Sequence, residues 1–171
     1  SEGPFPPADD SKKLSEAKRE LLYDEIINQC LAWGVGIVDN IVIDSINILK
    51  ATHEAMHRAC ENAIKMLEEK GKRYKLAGYD VIFVDHVNLN DMPCKTVSIT
   101  RGDALSVSIA AASIIAKVTR DRMMVEYDRQ YPGYGFAAHK GYGTRKHYDA
   151  IKQQGMCEIH RKTFLKNFSC E

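Results

Sequence analysis

The pattern of apolar and polar positions is organised around two predicted strands near the middle of the chain. Residues 81–84 are four consecutive β-branched or aromatic residues, a run that leaves no face for water and predicts a buried strand. That strand ends on Asp85. A second strand is predicted over residues 96–100, and Arg101-Gly102-Asp103 follows it, where a long helix must begin. Each strand therefore delivers a carboxylate to its end.

Apolar positions at helical spacing predict helices on either side of these strands. Ser15 is the candidate N-cap of a helix that runs to about Gln29, and residues 32–38, AWGVGIV, are predicted to form another strand. A helix-rich segment is expected over residues 42–69. Its predicted buried stripe consists of Ile46, Leu49, Met56, Cys60, Ile64 and Leu67. Strands that alternate with helices predict an α/β layered fold.

The composition predicts one globular domain over residues 1–171. The chain has 44% apolar and 27% charged residues, enough for a core. It has no apolar run near 18 residues and no charged-then-apolar leader, so we expect a cytoplasmic protein. Five cysteines without C-x-x-C spacing argue against a disulfide framework and a zinc site, and we expect reduced thiols.

The net charge of +1 conceals an uneven distribution. Residues 129–166 contain eight basic and two acidic residues, which gives +6, and the other 16 basic and 21 acidic residues give −5. Residues 132–171 are therefore predicted to form a basic, mostly helical C-terminal part. Beside a cation site, such a surface would suit a polyanion, although a solvated basic face without a ligand is the alternative.

Two acids at successive strand ends suggest a divalent-cation site, since ligands of α/β sheets bind at strand ends. The alternative is that Asp85 and Asp103 each cap a turn or helix. A second metal-binding pattern is formally present, because His53-Glu54-Ala55-Met56-His57 spells H-E-x-x-H. That helix carries an apolar stripe and no third ligand follows at a suitable spacing, so we do not predict a zinc protease.

The segment over residues 101–121, RGDALSVSIAAASIIAKVTRD, resembles the signature helix of bacterial ribonuclease HII, the type 2 ribonuclease H. The resemblance continues in DSKKLS at residues 10–15, YGF at 134–136, HKGY at 139–142 and His160-Arg161, and so covers nearly the whole chain. It implies a ribonuclease H-like mixed sheet flanked by helices. It also implies a monomeric endonuclease that hydrolyses the RNA strand of RNA/DNA hybrids and cuts DNA at embedded ribonucleotides.

The resemblance also implies roles for individual residues. Asp85 and Asp103 match two of the family's four acids that hold Mg²⁺ or Mn²⁺ and are the expected catalytic residues. Tyr142 matches the tyrosine that meets the nucleotide at the RNA-to-DNA junction, although packing of the loop is the alternative. The candidate phosphate contacts are Lys12, Lys13, His139, Lys140 and Arg161. Each of these could instead be a solvated charge.

The chain departs from the family pattern at its start. The family has an Asp-Glu pair on its first strand, followed by Gly-Arg-Gly, and we expect these N-terminal strands to be missing here. Asp24-Glu25 lies in a predicted helix, and Asp121 is 18 residues beyond Asp103 on what we expect to be the same helix, about 27 Å away. Asp9 and Asp10 are left without an assigned role. A catalytically inactive fragment that binds nucleic acid is therefore the alternative function, and an unrelated binding domain is a third.

Overall fold

Helices dominate the part of the chain that the computed structural model describes, residues 14–72, 75 and 80–166. The elements are α1 (Glu16–Gln29), α2 (Asn40–Ile46), α3 (Ile48–Glu69), β1 (Val81–Asp85), β2 (Lys95–Ile99), α4 (Gly102–Leu105), α5 (Val107–Gln130), α6 (Phe136–His139), α7 (Arg145–Gln154) and a 3₁₀ helix, η1 (Lys162–Leu165). Ser15 is the N-cap of α1, as predicted, and its side chain accepts a hydrogen bond from the Lys18 N–H at 3.3 Å. The predicted α/β fold is confirmed.

The two predicted strands pair in parallel. Their register runs from Val81 opposite Lys95 to Asp85 opposite Ile99. The link over residues 86–94 returns the chain to the edge of the sheet where β1 begins. The Thr96 hydroxyl of β2 donates to the Leu89 carbonyl of this link at 2.8 Å. Because the strands are parallel, both carboxyl ends lie at the same edge of the sheet.

The prediction that β1 is covered on both faces is wrong. Val84 is 5% exposed, whereas Val81 and Phe83 are 45% and 48% exposed. Side chains alternate between the two faces of a strand, so Val81 and Phe83 share one face. Within the described residues β1 pairs with β2 alone, and that face is largely open to solvent.

The predicted strand over residues 32–38 is also wrong, because this segment takes its hydrogen bonds from a helix. The Asn62 side chain of α3 donates to the Val35 carbonyl at 2.9 Å. The backbone approaches α3 so closely that a Cβ at Gly36 would lie 1.8 Å from the Ala55 carbonyl oxygen. The two glycines of AWGVGIV therefore permit packing against a helix, which replaces a strand ladder.

The chain divides into two compact units. The first contains residues up to Ile37 together with His53–Val118, and the second contains Val38–Thr52 with the residues from Thr119 onward. The core of the first unit is formed mainly by α1 and α5, with Leu14, Leu22, Tyr23, Ile26, Ile114, Ile115 and Val118. The core of the second contains Met124, Tyr134, Phe136, Ala150 and Ile151.

The predicted burial of one residue in the stripe over residues 42–69 is wrong. Leu49 is 57% exposed, whereas Leu67 is buried. The stripe assumed one uninterrupted helical phase. Asn47 has a left-handed backbone with φ of 72° and separates α2 from α3, so the phase changes just before Leu49.

Candidate functional site

Both predicted acids lie at the carboxyl edge of the sheet, where Asp85 contacts the residue that precedes Asp103. Asp85 is the last residue of β1, and its Oδ1 accepts a hydrogen bond from the Gly102 N–H at 2.8 Å. Asp103 directly follows Gly102 in the chain and lies in the first turn of α4. Asp85 is exposed and Asp103 is half-buried. The structure therefore brings the Asp85 carboxylate to the residue that precedes Asp103.

Asp121 does not share a helix with Asp103, in contrast to our prediction. Ser106 has an extended backbone, with φ of −128° and ψ of 121°, and separates α4 from α5. Asp121 belongs to α5, in the part of that helix assigned to the second unit, and is 4% exposed. The interruption turns Asp103 into a residue of a short helix at the sheet edge.

Left-handed residues flank both acids. His86 follows Asp85 with φ of 56°, and Arg101 lies two residues before Asp103 with φ of 57°. This backbone region costs an L-residue about 1–2 kcal/mol, and such strain is concentrated at functional sites. Both acids therefore lie beside a sharp turn of the backbone at the edge of the sheet.

Gly102 is a site residue whose role the sequence analysis did not identify. A Cβ at this position would lie 2.5 Å from the Cδ1 atom of Ile109 and 3.5 Å from Asp85 Oδ1. Ile109 is 5% exposed at the start of α5, so the space beside Gly102 is already filled. The glycine thus lets its own N–H approach the Asp85 carboxylate. Its position between Arg101 and Asp103 is the only sequence signal for this role.

Asp85 and Asp103 are the candidate donors for one hard cation. Mg²⁺ is commonly bound through one or two carboxylates, with water and substrate phosphate completing the shell, so two adjacent carboxylates suit that ion. Among residues 14–72, 75 and 80–166, no group of three or more His, Cys, Asp or Glu side chains is arranged to hold a metal.

The residues of the H-E-x-x-H string have other contacts. Glu54 pairs with Arg58 at 2.8 Å, and His57 Nε2 lies 3.2 Å from the Asn90 carbonyl oxygen. Because that carbonyl can only accept, the His57 Nε2 carries a proton in this contact. Glu54 and His57 thus help to hold the surface of α3.

Tyr142 lies in the second unit on a short turn, residues 139–144, which we call the Tyr142 loop. Its side chain is 60% exposed, so the ring does not pack into the core. The Tyr142 N–H donates to the His139 carbonyl at 2.9 Å, and the Thr144 N–H donates to the Tyr142 carbonyl at 2.8 Å. Lys140 and Gly141 both have positive φ, at 52° and 79°. The loop is therefore tightly turned and holds Tyr142 at its surface.

Three histidines lie beneath this loop, and we call His139, His147 and His160 the histidine network. The rings of His139 and His147 stack with centroids 4.3 Å apart, and the Nε2 atoms of His147 and His160 are 3.1 Å apart. Burial lowers the pKa of His147 and of His160, and the nearby His139 lowers both further. The sequence analysis had proposed His139 as a phosphate contact, but both of its ring nitrogens contact the protein backbone.

Two other candidate phosphate contacts also belong to the second unit. Arg161 is half-buried, with its guanidinium carbon 3.9 Å from the centroid of the Phe164 ring. Burial lowers the pKa of Arg161, as does nearby Arg120, whereas Asp44 raises it. Lys140 is half-buried within the Tyr142 loop. Lys12 and Lys13, like Asp9 and Asp10, lie outside the described residues.

The family model described as Ribonuclease HII matches residues 7–167. The chain belongs to the ribonuclease HII family. This match confirms the resemblance seen in the signature segment and includes Asp85, Asp103 and Tyr142 within its range. No helix in the described part of this ribonuclease HII chain is long and apolar enough to cross a membrane.

Relatives of similar sequence carry the same family name. The ribonuclease HII of Ruminiclostridium cellulolyticum is 52% identical over 159 residues, which cover 93% of this chain and 58% of that protein. That of Acholeplasma laidlawii is 52% identical over 155 residues, covering 91% of this chain and 70% of the relative. The chain spans less than two thirds of the length of the first relatives it matches.

The fold is also found in a solved structure. The crystal structure of ribonuclease H2 from Pyrococcus horikoshii OT3 superposes with a TM-score of 0.63 and covers 91% of this chain and 76% of that one. The two sequences are 23% identical, so this comparison concerns the fold alone.

Proposed function

We propose that this ribonuclease HII chain hydrolyses the RNA strand of RNA/DNA hybrids and cuts DNA duplexes at embedded ribonucleotides. The observation that supports the proposal is the hydrogen bond from the Gly102 N–H to Asp85, which connects the last residue of β1 with the residue before Asp103 in a member of this family. Hard oxygen ligands at a strand edge suit a divalent cation, and Mg²⁺ or Mn²⁺ is the proposed cofactor.

In this mechanism Asp85 and Asp103 would hold the cation at the exposed edge of the sheet. When bound, the cation would supply polarisation of the scissile phosphate and a more acidic water. The Gly102 N–H occupies one Asp85 oxygen, and this bond fixes the orientation of the carboxylate before any ligand arrives. Asp103, half-buried at the start of α4, would present its carboxylate from the neighbouring turn.

Tyr142 is the proposed contact to the nucleotide at the ribonucleotide position. Its exposed ring can lie against a sugar or base, which is how aromatic residues commonly recognise nucleic acids. The basic residues of the segment over residues 129–166, with Lys12 and Lys13, would contact the backbone phosphates, and such contacts position a duplex without reading its sequence.

An inactive chain that binds nucleic acid is the second candidate. The observation that favours it is the lack, among the described residues, of three or more metal-ligating side chains in one group. Two carboxylates are half of the four acids that the family pattern implies for the metal site, whereas the basic segment is independent of that site.

The experiment that tests the proposal measures cleavage of a DNA duplex with a single embedded ribonucleotide, with Mg²⁺ or Mn²⁺ added. Asp103→Asn removes one proposed ligand, and Asp149→Asn is the matched control because it makes the same charge change at an exposed position of α7. We expect cleavage by the parent and by Asp149→Asn, and none by Asp103→Asn. Salt-dependent binding without cleavage by all three proteins would instead establish the inactive binding chain.

A further inference from the structure

The carbonyl of Tyr142 is held by two donors. One is the Thr144 N–H at 2.8 Å, and the other is Nδ1 of His147 at 3.0 Å. A carbonyl oxygen can only accept, so Nδ1 of His147 must carry a proton. His147 lies in the first turn of α7 and is 6% exposed, and its own N–H is held by the Thr144 hydroxyl at 3.3 Å. The ring is thus fixed relative to the Tyr142 loop.

The second nitrogen of His147 extends this constraint into the core of the second unit. In a neutral ring with a proton on Nδ1, Nε2 is an acceptor, so the His160 Nε2 at 3.1 Å must be the donor. His160 Nδ1 is then an acceptor, and the Cys157 N–H donates to it at 2.9 Å. The Cys157 carbonyl is 3.3 Å from the same nitrogen but accepts a shorter bond from the His160 N–H, at 3.1 Å.

The third ring of the histidine network is fixed by the same reasoning. The Gly141 N–H points at His139 Nδ1 at 3.2 Å, so that nitrogen accepts, and Nε2 donates to the Tyr134 carbonyl at 2.8 Å. His139 stacks on His147 with an angle of 19° between the rings. The contacts of each of the three rings therefore define one tautomer, and burial favours the neutral form of His147 and of His160.

We propose that His147 is the positioning residue of Tyr142, holding its carbonyl through Nδ1 and tying it through Nε2 to His160 and Cys157. The proposal rests on the proposed function in one respect, the contact of Tyr142 with substrate. His147 itself touches no substrate in this scheme. His147 determines where the Tyr142 loop presents the tyrosine. Because the Tyr142 carbonyl is held in place, the loop samples fewer conformations and loses less conformational entropy when substrate binds.

The network also makes the position of Tyr142 sensitive to acid. A proton added to His147 Nε2 would face the N–H of His160. The other titratable or charged groups around the network are Cys157 and Glu158 beside His160, Tyr134, Tyr148 of α7, and the cations Arg120 and Arg161. The two cations oppose a further positive charge in this region.

The test compares the affinity for a fluorescein-labelled duplex carrying one ribonucleotide with that for the all-deoxy duplex of the same sequence. Anisotropy is measured on the full chain in EDTA, at a temperature where each variant is folded, so that hydrolysis plays no part. His147→Leu removes the Nδ1 donor, whereas His147→Asn keeps a donor at the equivalent position. His53→Gln is the matched control, on α3 in the first unit.

Tyr142→Ala is the reference variant, and we expect it to reduce the preference for the ribonucleotide duplex about tenfold, since a base–aromatic contact is worth roughly that factor. We expect the same reduction for His147→Leu. The double variant with Tyr142→Ala and His147→Leu should lose no more of this preference than either single variant does, because both substitutions act through Tyr142. His147→Asn should keep most of the preference at pH 7.5. Full preference in folded His147→Leu, additive losses in the double variant, or equal losses in His147→Asn would each overturn the proposal.

Hydrogen exchange of the loop separates this proposal from the proposed function. Amide protection over residues 139–144 is measured in the protein without nucleic acid, and we expect His147→Leu to lower it while His53→Gln leaves it unchanged. If the parent has no preference for the ribonucleotide duplex, the substrate contact fails while the loop result still stands. If loop protection is the same in His147→Leu and in the parent, the positioning role is overturned whatever the parent binds.

Discussion

Gly102→Ala should disturb the candidate site by overpacking its supporting helix. The added Cβ would lie 2.5 Å from Ile109 Cδ1, where two carbons at optimal separation are about 3.5–4.0 Å apart. Ile109 is 5% exposed and has little room to turn. Overpacking of this kind costs about 1–3 kcal/mol. The lower entropy of an unfolded chain with alanine offsets roughly 0.4–1 kcal/mol. The difference lies between about 0 and 2.6 kcal/mol, so the mid-range values give an expected loss of about 1.3 kcal/mol in the free energy of unfolding.

Ile109→Val provides the matched rescue, because it deletes the colliding Cδ1 atom. By itself it should cost about 0.5–1.5 kcal/mol as a large-to-small change in a core. Combined with Gly102→Ala, it should give a double variant that is more stable than the sum of the two single losses predicts. The Cγ2 atom of Ile109 remains 3.3 Å from the new Cβ, so the rescue should be incomplete.

The assay is urea unfolding followed by the fluorescence of Trp33, the only tryptophan in the chain. Trp33 packs against the core of the first unit, with its ring centroid 6.2 Å from that of Tyr23, so it reports on the unit that contains Gly102. An unchanged midpoint for Gly102→Ala, or strictly additive losses with Ile109→Val, would refute the packing argument.

Three other perturbations have defined outcomes. Gly36→Ala should cost about 3 kcal/mol in the same assay, because the new Cβ meets the Ala55 backbone oxygen, which cannot rotate away; a parental midpoint would contradict this. His86→Gly should raise the melting temperature, because the relief of about 1–2 kcal/mol of left-handed strain exceeds the roughly 0.4–1 kcal/mol that glycine adds to the entropy of the unfolded chain; a lower melting temperature would argue against that strain. The pKa of buried His147 lies below its ordinary 6.5, so the unfolded chain takes up its proton first and the free energy of unfolding should fall as the pH drops below 6.5. Melting scans from pH 7.5 to 5 should show a shallower fall for His147→Asn and the parental fall for His53→Gln.

The positions of Asp85 and Asp103 followed from local pattern. An apolar run that stops at a carboxylate marks a strand end wherever the strand lies, and parallel pairing then brings two such ends to one edge. Ser15 was equally local, because an N-cap needs only the turn that follows it. These features depend on residues close to one another in the chain, so a single sequence carries their signal.

The features that the sequence did not reveal depend on distant partners. Residues 32–38 are as apolar as a strand, and only the side chains of α3 determine that their carbonyls bond to a helix. The open face of β1 likewise depends on what covers the sheet. The interval of 13 residues from His147 to His160 fits no helical or strand period, and the 8 residues from His139 to His147 span two glycines, so no periodic pattern grouped the three histidines.

The hydrogen bonds that join α2 to the end of the chain have a consequence for the order of folding during synthesis. The Asn40 side chain donates to the carbonyls of Glu158 and His160, and Asp44 accepts from the N–H groups of Lys162 and Thr163. These partners are 118–120 residues apart. A ribosome adding about 5–20 residues per second needs roughly 6–24 s to make that length. During this interval α2 lacks its hydrogen bonds to the end of the chain, so its polar side chains are accessible to a chaperone.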